Sequence, residues 1–227
     1  MVQNYPIDGV QFDDYFYTET ASSPLNDNET FRRYGQGYAS KGDWRRHNTQ
    51  QLIAQVSTTI KKLNPNVEFG VSPAGVWRNR SHDPAGSDTR GAAAYDESYA
   101  DTRSWVQQGL LDYIAPQIYW PFARDAARYD VLANWWAEVV KPTHTRLYIG
   151  VALYKVGEPS KNEPDWTVDG GVPELKSSSI SMRLCRRSRA PSCSAKTTSI
   201  SRKPGRRLTI CAAAGGSRRA SRQPALL

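Results

Sequence analysis

Asp8-Gly9-Val10-Gln11-Phe12-Asp13-Asp14-Tyr15-Phe16-Tyr17 is the stretch on which the reading of the fold turns. The Asp8-Gly9 turn opens a strand over 10–16, and along a strand alternate side chains face opposite sides. Val10 and Phe12 share an apolar face that helices can cover, while Gln11 and Asp13 share the other. Asp13 and Asp14 close the strand at its C-terminal end. Two adjacent carboxyls repel when both are ionised, so one tends to keep its proton. Glycosidic cleavage needs one carboxyl as acid and usually a second as nucleophile or base. Tyr15, Phe16 and Tyr17 add flat rings of the kind that stack on sugars. The plain alternative is a solvated Asp pair, or an Asp that caps the following turn.

Outward from this strand, short apolar runs alternate with helical stretches, as in βα units feeding a parallel sheet. Residues 18–42 read as a long loop. Asp43 is a candidate N-cap for a helix from Trp44 to about Leu63, with Leu52, Val56, Ile60 and Leu63 at helical spacing. Asn64-Pro65 stops it. A second strand is expected over 67–71, a polar loop over 72–94, and a helix over 96–109. A third strand covers 113–120, a helix 126–140, and a fourth strand 146–154. Long loops thus gather at the C-terminal ends of the strands, where a (β/α)8 barrel carries its chemistry. A doubly wound sheet gives the same alternation; the loop lengths favour the barrel.

Three further clusters fall at those strand ends. After the second strand come Ser72, Trp77, Arg78 and Asn79: a ring for stacking, with donors for hydroxyl, acetamido or carboxylate groups. The alternative is an ordinary loop around a buried Trp. Gln117, Tyr119 and Trp120 end the third strand, with Gln117 and Tyr119 on one face, directed inward. Tyr154 and Lys155 end the fourth. Each cluster alone is weak, and four at consecutive strand ends reinforce one another. His47, His82 and His144 lack metal-ligand spacing, and no Gly-rich phosphate loop is present. No metal or cofactor is expected. Trp135-Trp136 reads as packing.

The net charge of +8 suggests a nucleic-acid binder, but the charges are not evenly spread. Residues 1–174 hold 17 basic and all 22 acidic residues, a net −5, with every Trp and Tyr. Residues 175–227 hold 13 basic residues, no acidic one, and all three cysteines. A basic nucleic-acid arm is one reading of that tail. The preferred one is a disordered segment produced by a reading frame displaced near Lys176. The division expected is therefore 1–175 and 176–227. Met1 opens without the basic and apolar regions of a signal peptide, and no run near 20 apolar residues is present.

The stretches DGVQFDDYFY, DWRRHNTQQLI, FGVSPAGVWRN, YADTRSWVQQGLLDYIAPQIYW and LYIGVALYKVG resemble the glycosyl hydrolase-like 10 domain family of bacterial cell-envelope proteins. The resemblance covers about residues 2–175. It implies a (β/α)8 barrel, of which this chain holds about strands 4–7, and glycosidase action on peptidoglycan glycan strands. The full-length member is implied to be a periplasmic or outer-membrane lipoprotein, its export signal lying outside this chain. The family's DGxxFDDY pattern falls on Asp8–Tyr15, so Asp13 and Asp14 inherit the candidate catalytic role. With N-acetylated sugars the substrate's own acetamido oxygen can replace the second protein carboxylate. With only about four strands the chain is expected to be inactive and poorly stable by itself. A carbohydrate-binding barrel without turnover is the competing function.

Overall fold

The structure, a computed structural model, describes residues 1–13, 16–17, 24–178 and 197–198. Four strands form one parallel sheet: β1 (Gly9–Asp13), β2 (Glu68–Ser72), β3 (Tyr113–Ile114) and β4 (Arg146–Leu147). Their spatial order is their chain order, and among the described residues no strand pairs on the other side of β1. The connections carry α1 (Asn28–Tyr34), α2 (Lys41–Leu63), α3 (Ala94–Glu97), α4 (Thr102–Gln107) and α5 (Tyr129–Val140). Further along, β5 (Ile149–Gly150) pairs in parallel with β6 (Thr197–Thr198). The expected disordered tail, 176–227, falls on residues that, apart from 176–178 and these two, lie outside those described.

The helices cover one face of the sheet. Phe12 meets Phe69 edge-on at 5.3 Å, and Val71, Ile114, Leu147 and Ile149 continue the same apolar layer. Against it α2 sets Ile53 and Ile60, α4 sets Trp105 and Val106, and α5 sets Leu132 and Trp136. The α2 pair is seven residues apart and the α5 pair four, and in α4 Trp105 and Val106 follow buried Thr102 at three and four residues, which is why each helix can bury one stripe.

Helix α2 begins earlier than its sequence suggests. Ser40, in extended conformation, is the N-cap: its hydroxyl accepts from the Asp43 N–H at 3.0 Å. Asp43 is in the first turn, where its charge complements the unpaired N–H groups. The core-facing stripe is Thr49, Ile53 and Ile60, with Val56 partly buried beside them, and Leu52 and Leu63 are about half exposed. Leu52 lies one residue, or roughly 100°, round the helix from Ile53, and Ile53 wins the sheet-facing position.

The helix expected over 96–109 is two short ones. Tyr99 takes a left-handed φ of 50° between them, and Asp101 restarts the helix by accepting from the Ser104 N–H. The strands are shorter than alternation implies. β3 stops at Ile114, since Pro116 has no N–H to give a ladder. Gln117 then makes isolated parallel bridges to Ala74 and Gly150. Beyond β5 the chain turns into a 3₁₀ helix at Leu153–Lys155. Trp136 and Trp135 pack as expected, donating from their indole N–H groups to Gly75 and Ala85 carbonyls.

Candidate active site

The face of the sheet without helices carries polar side chains in three tiers. Parallel register brings Gln11 beside Gly70 and Asp13 beside Ser72. Lowest is an ion pair reaching from β2 to β4, Arg146 to Glu68 at 2.6 Å. In the middle the Tyr113 hydroxyl donates to Gln11 Oε1 at 3.2 Å, and its ring meets Tyr148 at 5.3 Å. Burial pushes the Tyr113 phenol up from its ordinary range, so it remains a donor. Gly70 makes this tier possible, because a β-carbon there would collide with the Tyr113 ring.

The top tier is at the C-terminal mouth of the strands. Gln117 Nε2 donates to Asp13 Oδ1 at 2.6 Å and to the Ser72 carbonyl at 2.8 Å. Asp13 is exposed, as is Gln11, and both point away from the helices, as the alternation of β1 requires. At the same pole Tyr119 and Tyr154 meet edge-on at 6.2 Å, with Tyr154 54% exposed. Lys155 holds this corner: its ammonium donates to the Tyr119 carbonyl at 2.8 Å and to Glu163 Oε2 at 2.6 Å. Such an arrangement offers a carboxyl fixed by an amide, with aromatic surface beside it. It can accept a proton, or steady positive charge that develops on a bound sugar.

Several residues expected at the site sit elsewhere. Trp77 is a correction: only 4% exposed, it stacks on Trp135 at 5.7 Å and its indole N–H donates to Asp101. It presents no open ring to a sugar. Arg78 is drawn to carboxylates, donating to Asp96 and Asp83 at 3.3 Å each, and lies over the Tyr95 ring. Asn79 is a second correction, a buried loop anchor bonded to Gly91 and Thr89. Trp120 is half-buried against the core. Tyr17 lies on α2, where Asn48 donates to its hydroxyl at 3.3 Å and Arg45 covers its ring. Asp14 and Tyr15 lie outside the described residues.

Tyr113 and Glu163 were not anticipated. Tyr113 shares the period-2 face of Gln117 and Tyr119, so alternation through YIAPQIYW could have found it. Glu163 has no sequence signal, because Lys155 meets it only after the 3₁₀ turn. A cavity of about 380 Å³ opens beside Asn79, His82, Arg90, Asp96 and Glu97. Among the described residues no three His, Cys, Asp or Glu gather as a metal site, and no helix is long and apolar enough to cross a membrane.

The model of the glycosyl hydrolase-like 10 family matches residues 1–168. The chain belongs to that family. It is similar to glycosyl hydrolase DigH of Escherichia coli K12, 80% identical over 176 residues that make up 78% of this chain and 40% of that protein. The Shigella flexneri protein of the same name matches to the same extent. Glycosyl hydrolase YngK of Bacillus subtilis is 48% identical over 170 residues, 74% of this chain and 33% of that one. The chain thus spans about 40% of the length of the relatives named DigH. An α/β fold with a parallel sheet, its polar face beside the strand ends, is what this family member displays.

Proposed function

We propose that this chain forms about strands 4–7 of a (β/α)8-barrel glycoside hydrolase acting on peptidoglycan glycan strands, with Asp13 and Asp14 as its carboxyl pair. One observation carries the reading: Asp13 stands on the helix-free face at the C-terminal end of β1, held by Gln117. The barrel draws support from the unbroken parallel order β1-β2-β3-β4, since a doubly wound sheet reverses direction at its switch point. A barrel interior is built from tiers of inward side chains supplied by successive strands. Tyr119 and Tyr154 are the rings offered to sugar. Residues 1–175 are the barrel portion and 176–227 a displaced-frame tail; sequencing across codon 176 tests the latter, and an error-free frame encoding this tail would refute it. The whole protein is exported to the periplasm or outer membrane as a lipoprotein.

Activity is measured in the full-length Escherichia coli relative with its matching segment replaced by the one from this chain. This exchanged enzyme is expected to release fragments from purified murein sacculi. Asp13→Asn is expected to lower kcat roughly a thousandfold. Release at an unchanged rate with Asp13→Asn and Asp14→Asn together overturns the hydrolase. Retained murein binding in that case makes the protein a carbohydrate-binding barrel.

A further inference from the structure

We propose that the cavity between the loops after β2, β3 and β5 is a second sugar subsite, which takes a neutral N-acetylhexosamine unit next to the one at the aromatic pair. The proposal rests on the glycan reading above and extends it by one unit.

The cavity has a volume of about 340 Å³, at the small end of the range for ligand sites. Its polar lining is Arg90, Arg124, Asp125, Asn162 and Asp165, beside Pro121. No ion pair or side-chain hydrogen bond joins any of these five to a described residue. Elsewhere the chain pairs its opposite charges: Arg78 with Asp83 and Asp96, Arg128 with Asp130, Arg146 with Glu68. Here two guanidiniums and two carboxylates line one hollow and do not meet. Asp125 attracts Arg128, and Asp165 repels Glu174, only at longer range.

That combination selects a class of ligand. The lining charges cancel, so neither an anion nor a cation is favoured as a whole. Each group nevertheless keeps its bonding capacity, guanidinium and amide N–H groups to donate, carboxylate and amide oxygens to accept. The forks of Arg, Asp and Asn each offer two atoms to neighbouring groups on a ligand. A neutral sugar presents adjacent hydroxyls that donate and accept at once, and an acetamido group adds a carbonyl and an N–H. A phosphate or carboxylate ligand would be repelled by Asp125 and Asp165. A hydrocarbon would take water from every polar group and return nothing.

The place suits a chain of sugars. The lining comes from the loops after three strands, at the pole that holds Asp13 and Gln117. Pro121 follows Tyr119 by two residues, at most about 7 Å along the chain. The Arg90 N–H donates to the Ala126 carbonyl at 2.8 Å, which joins the first two loops. Lys155 joins the third, since it bonds both the Tyr119 carbonyl and Glu163, the residue after Asn162. A glycan on Tyr119 and Tyr154 thus meets polar partners for its next unit on loops already fixed in place.

Calorimetry on the exchanged enzyme tests this, in an Asp13→Asn background so that no bond is cleaved. The probes are chitobiose and chitotetraose, the neutral dimer and tetramer of N-acetylglucosamine. The tetramer is expected to bind at least about tenfold more tightly than the dimer, the effect of one charge-assisted hydrogen bond. Arg124→Ala and Asp165→Ala should each lower tetramer affinity roughly five- to thirtyfold. The dimer, which sits at the aromatic pair, should stay within about twofold. Arg90 also borders the cavity beside Asn79, which makes those two the cleaner changes. Neither truncation orphans a protein partner, so both variants should fold as the parent does. Raising salt from about 50 to about 500 mM should leave tetramer affinity within about twofold, since an uncharged ligand is not screened. Equal losses for dimer and tetramer, no loss, or no binding of the tetramer overturns the proposal. So does binding that requires an acid-bearing muramic glycan and fades with salt, because the cavity then reads an anion. The two layers come apart in the exchanged enzyme without Asp13→Asn. Sacculi left intact while the tetramer binds as described sink the hydrolase and keep the subsite. Sacculi cleaved while both variants bind like the parent sink the subsite alone.

Discussion

The two faces of the parallel sheet are built by opposite rules. On one, Phe12, Phe69, Val71, Ile114 and Leu147 meet three helices and exclude water. On the other, each tier is polar and each contact directional: an ion pair, a phenol on an amide, an amide on a carboxylate. The first face makes the fold stable, since buried apolar area is the main favourable term. The second adds little to stability while Gln11 and Asp13 stand exposed, and its tiers are worth having for what they hold in place. A sheet with one dry face can therefore be recognised as a scaffold, and its chemistry sought on the other.

The sharpest way to break this contrast is to truncate one residue on each side of neighbouring strands. Phe69, fully buried, is expected to cost about 3–5 kcal/mol as Phe69→Ala. Gln11→Ala should change stability by less than about 0.5 kcal/mol, as exposed substitutions do. Urea unfolding of this chain measures both, and equal costs would remove the distinction between the faces. Gly70→Ala refines it. The added methyl drives the Tyr113 ring from its place over β2 and breaks its bond to Gln11, for about 1–3 kcal/mol of overpacking. The cost should vanish in a Tyr113→Ala background, since the two sites share one contact. If it persists there, the middle tier is not what makes residue 70 a glycine.

Much of the covered face could be read from sequence, and less of the other. Alternation in 10–13 separated Val10 and Phe12 from Gln11 and Asp13 correctly, because a period of two leaves no freedom within a strand. Helical spacing located α2 and its Val56 and Ile60, but took Leu52 where Ile53 packs, since both fit and only tertiary packing decides between them. Ser40 was passed over as a cap because Asp43 offers equally good capping chemistry three residues on. At the site, Trp77 shows the limit of composition. An indole near Arg and Asn suits a sugar platform, yet Asp101, 24 residues away, satisfies its N–H and closes it into the core. Tyr119 and Tyr154 remain open because Lys155 and Glu163 pin the corner beneath them, and that pair meets only across a turn.

The covered face also extends into the loop that precedes it, and there the expected effect on stability depends on pH. Arg45, almost wholly buried on α2, grips Asp27 with two bonds of 2.8 Å, and Lys41 joins the same carboxylate. The Arg45 bond first, and Lys41 after it, hold the Asp27 carboxyl down at about 2. A carboxyl depressed in the folded chain stabilises fully above its unfolded value near 4. That contribution falls away as pH drops toward 2. Asp27→Asn should therefore cost about 1–2 kcal/mol at pH 7, where a buried guanidinium loses its partner. The difference from the unsubstituted chain should narrow between about pH 4 and pH 2, the interval over which Asp27 itself takes up a proton. A gap that stays constant over that interval would mean that Arg45 is satisfied without Asp27. The loop after β1 would then be tied to α2 by the Tyr17 and Tyr99 rings beside the guanidinium, not by charge.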